Sequence, residues 1–233
     1  MNFPEFPPRP MARTLRVLAR LLEYPDGALR AHLAGLPDVL RAERALLPSR
    51  LADLEALIHD IEAQDPLDAE ADYVQLFDSG RRTALHLFEH VHGDSRDRGP
   101  AMIDLAQTYE RAGLYLAPGE MPDYLPVLLE FASTQPPREA ASLLGEIGHL
   151  LNGLRAVLEK RDSRYAAVMA AMLELAGTRA QAVAVGDEPP ADATWEEPAA
   201  FEGCAASAGA GTKSVHPIRP ERRQSALPDG AAR

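Results

Sequence analysis

Residues 122–131 read Pro-Asp-Tyr-Leu-Pro-Val-Leu-Leu-Glu-Phe. Asp123 sits where a helix N-cap belongs, because Pro126 then falls in the first turn, where a missing backbone N–H matters least. Beyond it, Tyr124, Leu125, Val127, Leu128, Leu129 and Phe131 are apolar nearly all round the predicted helix. A helix without a substantial polar face must be covered on several sides. The stretch therefore predicts a helix through Phe131 at the centre of a bundle, and the rest of the chain should supply its neighbours.

It does so repeatedly. Met11, Leu15, Leu18 and Leu22 recur at spacings of four, three and four, placing one apolar stripe on a helix that ends around Tyr24-Pro25-Asp26-Gly27. The same pattern returns at Leu51, Leu54, Ile58 and Ile61, at Leu143, Ile147, Leu150, Leu154 and Val157, and at Tyr165, Val168, Met172 and Leu175. Each predicts an amphipathic helix facing one core. With 46% hydrophobic but only 6% aromatic residues, and with Ala and Leu abundant, the composition favours helix over strand. The expected fold class is all-α: a single-domain helical bundle over residues 11–177, with a disordered C-terminal tail.

The flanks read differently. Pro4, Pro7, Pro8 and Pro10 deny residues 1–10 the donors and the freedom that regular structure needs, so that segment is expected to be disordered. Residues 178–233 are rich in Ala, Gly, Pro and charge, with no apolar periodicity, and are expected to be disordered too. Trp195 and Phe201 are the tail's candidates for docking, and Cys204 has no basic neighbour to activate it. The tail holds six basic and eight acidic residues, so −9 of the total charge of −11 belongs to the remainder. That sign disfavours nucleic acid and favours a basic partner. One cysteine excludes an internal disulfide and a multi-cysteine metal site. Without a signal-peptide pattern or an apolar run of about 18 residues, the chain is expected to be cytoplasmic, with no direct membrane insertion.

Chemistry-bearing residues crowd into 72–99, DYVQLFDSGRRTALHLFEHVHGDSRDRG. A helix ending near Phe77 is broken by Ser79-Gly80, and a second is predicted from about Thr83 to His92, stopped by Gly93 as a left-handed C-cap. On that second helix His86, Glu89 and His90 share one side, opposite Leu85, Leu87, Phe88 and Val91. His86-Leu87-Phe88-Glu89-His90 matches the H-x-x-E-H pattern of inverted zinc peptidases, whose two histidines grip one metal while the glutamate activates water. A third ligand would have to come from afar, such as Glu146 or Glu159, so zinc hydrolysis is the alternative rather than the leading reading. Gly93 to Gly99 lacks the lysine and spacing of a phosphate loop. Asp94 and Asp97 there can pair with Arg96, Arg98 or nearby arginines to fix the connection.

Four segments resemble a known family: Leu22-Glu23-Tyr24-Pro25, YVQLFD at 73–78, LHLFEHVHGDSRDRG at 85–99 and PDYLPVLLEF at 122–131. They are similar to the NarJ-type nitrate reductase assembly chaperones, within the TorD-like chaperones of molybdoenzymes, over roughly residues 11–175. The related chaperones carry a Pro-Asp-His signature where this chain has Pro122-Asp123-Tyr124, so any role needing an imidazole at 124 is not carried over.

The resemblance implies a protein that is not an enzyme and carries no cofactor or metal of its own. Its implied partner is the catalytic (alpha) subunit of respiratory nitrate reductase, whose amino-terminal peptide it binds while molybdenum cofactor is inserted. The expected peptide-binding residues are Asp78, Arg81, His86, Glu89, His90, Asp94, Arg96, Asp123 and Tyr124. If His86 and His90 border a basic peptide, their protonation should weaken binding as pH falls from about 7.5 to about 5.5.

Overall fold

In the computed structural model the described residues are 10–93, 95–178, 181 and 183. Helices follow in the order α1 (Ala12–Leu21), α2 (Gly27–Arg30), a 3-10 turn at Leu33–Gly35, α3 (Leu36–Glu43), α4 (Pro48–Ala63) and α5 (Pro66–Phe77). The chain continues through α6 (Leu87–Val91), α7 (Arg98–Arg111), α8 (Leu125–Thr134), α9 (Pro137–Glu146), α10 (Gly148–Lys160) and α11 (Ala166–Leu175). The architecture is all-α, as the periodicities predict. None of the described helices is long and apolar enough to cross a membrane. Asp94, Trp195, Phe201 and Cys204 lie outside the described residues, as do the segment 1–9 and nearly all of the tail.

The helix at 125–134 is central, as its sequence demands: Leu125, Leu128, Leu129, Phe131 and Ala132 are all buried. It lies along α1, whose Met11, Leu15, Leu18 and Leu22 form the predicted stripe and are buried without exception. Met11 offers α1 no side-chain cap. Glu43, at the end of α3, supplies it from afar by accepting from the amides of Arg13 (3.1 Å) and Thr14 (2.6 Å). On the other side α11 packs along α10 and against α4, and its eight buried positions make it as interior as α8. Alanines at 167, 170 and 171 allow that close approach.

Two predicted helices differ from expectation. The run from Leu143 to Val157 is not one helix, because the backbone breaks at Ile147 between Gly145 and Gly148, residues of low helix propensity. The break shifts the buried face to Leu144, Leu151, Leu154 and Leu158, and leaves Leu143, Ile147, Leu150 and Val157 half-buried at its margin. The helix expected from Thr83 to His92 is only α6, with His86 extended at its N-cap position. Gly93 does take the left-handed conformation (φ 52°) that ends it.

The corner that carries α5 is pinned at several points. Arg30 of α2 donates to the carbonyls of Ile61 (2.5 Å) and Gln64 (2.8 Å), satisfying the end of α4. Asp65 then caps α5 by accepting from the Leu67 amide at 3.0 Å. Only Ala69, Tyr73 and Phe77 of α5 are buried, one residue per turn, so this helix lies on the core rather than in it.

Candidate functional site

Leu85 and His86 are held out of the helix by a segment nearly 40 residues away. Leu87 donates its amide to the Asp123 carbonyl (3.0 Å) and Leu125 donates to the Leu85 carbonyl (2.9 Å), so His86 and Tyr124 pair as one antiparallel bridge. The Asp123 side chain completes the splice. Its Oδ2 accepts from the Phe88 amide at 3.2 Å, and its Oδ1 lies 3.3 Å from His86 Nδ1. Asp123 is therefore a helix cap, but for α6 and not for its own helix α8, which begins without a side-chain cap. That corrects the expectation that it caps the helix through Phe131.

Asp123 is completely buried, and Arg98, at the start of α7, brings positive charge to it. The Arg98 guanidinium stands 3.8 Å from Asp123 Oδ2 and 3.6 Å from Glu89 Oε1. Arg98 thus pairs with Glu89 and Asp123, and Asp97 accepts from the Ser95 hydroxyl at 3.2 Å. The hydrogen bond to Asp123 raises the His86 pKa above its ordinary value, against the opposing effect of burial. The proton on Nδ1 is held there by a carboxylate with no access to water.

The other two segments reach the same place through tyrosines. The Leu22 carbonyl accepts from the Tyr73 hydroxyl at 2.7 Å and lies 3.4 Å from that of Tyr124, and the two hydroxyls are 3.4 Å apart. Tyr24 meets Tyr73 edge-on at 5.7 Å, while Tyr124 lies over His86 at 5.2 Å. Burial pushes the phenols of Tyr73 and Tyr124 upward, so both act as neutral hydrogen-bonding groups. Behind them Tyr109 of α7 donates to the Pro122 carbonyl at 2.8 Å and fixes the turn that presents Asp123. Leu22-to-Pro25, the 73–78 segment, the 85–99 block and the 122–131 segment thus converge on one aromatic and ionic cluster.

The structure brings together His86, Glu89, Asp123 and Tyr124 from the expected binding set, with His90 close behind. Asp78, the C-cap of α5, and Arg81 and Arg96 are exposed and lie on connections around the cluster. Sequence reasoning left Tyr24, Tyr73 and Arg98 out of that set, although each lies within a resembling segment. The two imidazoles do not share a helix face as the H-x-x-E-H reading requires. His86 precedes the helix, and His90 Nε2 donates to the Ala84 carbonyl at 2.8 Å, which removes that nitrogen as a metal donor. Among the described residues no three His, Cys, Asp or Glu side chains are grouped so as to hold a metal.

The His86 shift has a measurable consequence. A pKa raised on folding stabilises the native state fully below the unfolded value, near 6.5, and that contribution is lost as pH rises through the folded value. The thermal midpoint of the wild type should therefore fall more than that of His86→Gln between about pH 6 and pH 8. A nuclear magnetic resonance titration of His86 should show its pKa above 6.5, returning toward it in Asp123→Asn. Equal pH slopes for wild type and His86→Gln would refute the pairing.

The cluster thus splices four segments of an all-α fold together. A solved structure from Archaeoglobus fulgidus, described as a redox enzyme maturation protein, matches 76% of this chain and 98% of its own length with a TM-score of 0.53 and 19% identity. The family model described as nitrate reductase delta subunit matches residues 26–171, and the chain belongs to that family. The nitrate reductase molybdenum cofactor assembly chaperone NarJ of Escherichia coli K12 is 44% identical over 193 residues, covering 78% of this chain and 82% of the relative. A Bacillus subtilis relative described in the same terms is 34% identical, covering 71% of this chain and 91% of its own.

Proposed function

We propose that this chain is an assembly chaperone for respiratory nitrate reductase, acting in the cytoplasm. It binds the amino-terminal peptide of the apo catalytic subunit, keeps that subunit competent for molybdenum cofactor insertion, and leaves before the enzyme is mature. The observation that carries this reading is the 44% identity, over most of both chains, to a relative named as a nitrate reductase molybdenum cofactor assembly chaperone. The charge of −11 supports a basic partner, and helical bundles bind amphipathic helices readily. Within the cluster, Tyr124, His86, Glu89 and His90 are partly exposed and can meet a peptide, with Asp78, Arg81 and Arg96 at its rim; Asp94, from the same expected set, lies outside the described residues. Asp123 is fully buried, so its part is to position His86 and α6 rather than to touch the peptide.

Co-expression with the catalytic subunit, followed by affinity capture of this chain, should recover the two together. Calorimetry should show one binding site for a synthetic peptide of the first 20 or so residues of that subunit. Affinity should weaken as pH falls from about 7.5 to about 5.5, as His86 gains charge beside Glu89, and the weakening should be smaller in His86→Gln/His90→Gln. Failure of both the subunit and the peptide to bind would overturn the proposal. An unaltered pH dependence in the double variant would remove the histidines from the peptide site.

A further inference from the structure

One face of α5 is left uncovered, and its composition is not that of an ordinary solvated face. With Ala69, Tyr73 and Phe77 turned inward, Leu67, Ala71 and Val74 form the opposite stripe at spacings of four and three. Leu67 is 74% exposed and Val74 40%. Asp68 and Asp72 line one side of that stripe, Glu70 lies on the other, and Asp78 closes its C-terminal end. From Asp65 to Asp78 there are five carboxylates and no lysine or arginine. Tyr24, 43% exposed, extends the surface sideways: its hydroxyl donates to Glu70 at 2.9 Å and its ring rests on Tyr73. Tyr24 thus links the Glu70 edge of this face to the aromatic cluster.

We infer that the outer face of α5, with Tyr24, is the docking surface for a basic amphipathic helix, its Leu67–Ala71–Val74 stripe taking the apolar face of that helix between two carboxylate edges. This rests on the proposed function and adds where the peptide lies. Charge complementarity selects the occupant. A second copy of this chain would bring its own five carboxylates against these, and an acidic or neutral helix would leave them desolvated without partners. Twelve residues make α5 about 18 Å long, which matches three turns of a bound helix. Leu67, Ala71 and Val74 recur with a helical period, so a helix running along α5 can meet them with its own apolar stripe.

The test uses the full chain and the amino-terminal peptide of the catalytic subunit, beside a scrambled peptide that keeps its charge and loses its stripe. Leu67→Ser/Val74→Ser should weaken binding by tenfold or more, as should Ala71→Arg, which keeps helix propensity and places a cation in the stripe. Ile103→Ser, at an exposed apolar residue of α7, should change affinity less than twofold. Asp68→Asn/Asp78→Asn should flatten the salt dependence. The scrambled peptide should bind at least tenfold more weakly than the native one. If the wild type binds the peptide and both stripe variants bind it within twofold, this surface is wrong and the chaperone reading stands. Equal binding of the scrambled peptide also overturns the surface. If the wild type binds no peptide, peptide recognition itself fails.

Discussion

Replacing Asp123 with alanine is expected to cost about 3 kcal/mol of folding stability, far more than an exposed ion pair contributes. The carboxylate serves three neighbours at once: the Phe88 amide at the start of α6, His86 Nδ1 and the Arg98 guanidinium. Losing the cap alone accounts for about 1 kcal/mol. The remainder is the penalty of leaving the Arg98 guanidinium and the His86 Nδ1–H beside a buried vacancy without their acceptor, held to the lower end because His86 and Arg98 keep 36% and 29% side-chain exposure and can rehydrate. For a chain of this size the midpoint should drop by about 6–12 °C. Asp123→Asn, which keeps an acceptor for the Phe88 amide and loses the charge, should fall between wild type and alanine. The backbone bridge survives both changes, because it uses the main chain of residue 123. Chemical denaturation of the three proteins decides the matter. A loss below about 0.5 kcal/mol for alanine, within the range of a surface substitution, would show that the cluster does not fasten α6 and α7 to α8.

Where a helix is dictated by its own periodicity, the sequence could be read directly. The stripe from Met11 to Leu22 and the apolar run from Leu125 to Phe131 are buried as expected, since no nearby residue competes with their burial. The failures are places where a distant group decides. Residues 83–86 have an acceptable helical pattern, but Asp123 and Leu125 claim the backbone on either side of His86, and the helix starts only at Leu87. Sequence spacing cannot reveal a hydrogen bond from the far side of the bundle. The break at Ile147 was more accessible, because Gly145 and Gly148 flank it, yet the surrounding leucines fit one continuous helix equally well. The same limit applies to the cluster. Asp123, Tyr124, His86 and Glu89 drew attention through their own segments, whereas Arg98 was read as part of a loop network and Tyr73 as part of a helix end. Their roles appear only when Leu22, Tyr24 and Tyr124 are brought beside Tyr73, and Asp123 beside Arg98.

Tyr73→Ala should be the other large effect, with a loss of about 3–4 kcal/mol, and it tests how α5 is fastened to the bundle. Tyr73 is buried and is the middle of the three residues by which α5 meets the core. Its ring touches those of Tyr24, Phe77 and Tyr165, at centroid distances of 5.7, 4.9 and 6.4 Å, so truncation opens a cavity among aromatics that cannot all collapse into it. Its hydroxyl is a smaller part of the total. In Tyr73→Phe the Leu22 carbonyl keeps the Tyr124 hydroxyl, 3.4 Å away, and the loss should be only about 1 kcal/mol. The damage should also be local. Ala69, Phe77 and the half-buried Leu76 are left to anchor α5 in the alanine variant, so its amides should lose hydrogen-exchange protection before those of α1, α8 and α11. Peptide affinity should fall with that protection, because the acidic stripe is then carried on a frayed helix, while the phenylalanine variant binds as the wild type does. If alanine costs less than about 1 kcal/mol, or if the phenylalanine variant is as damaged as the alanine one, the ring packing proposed to fasten α5 is not what holds it.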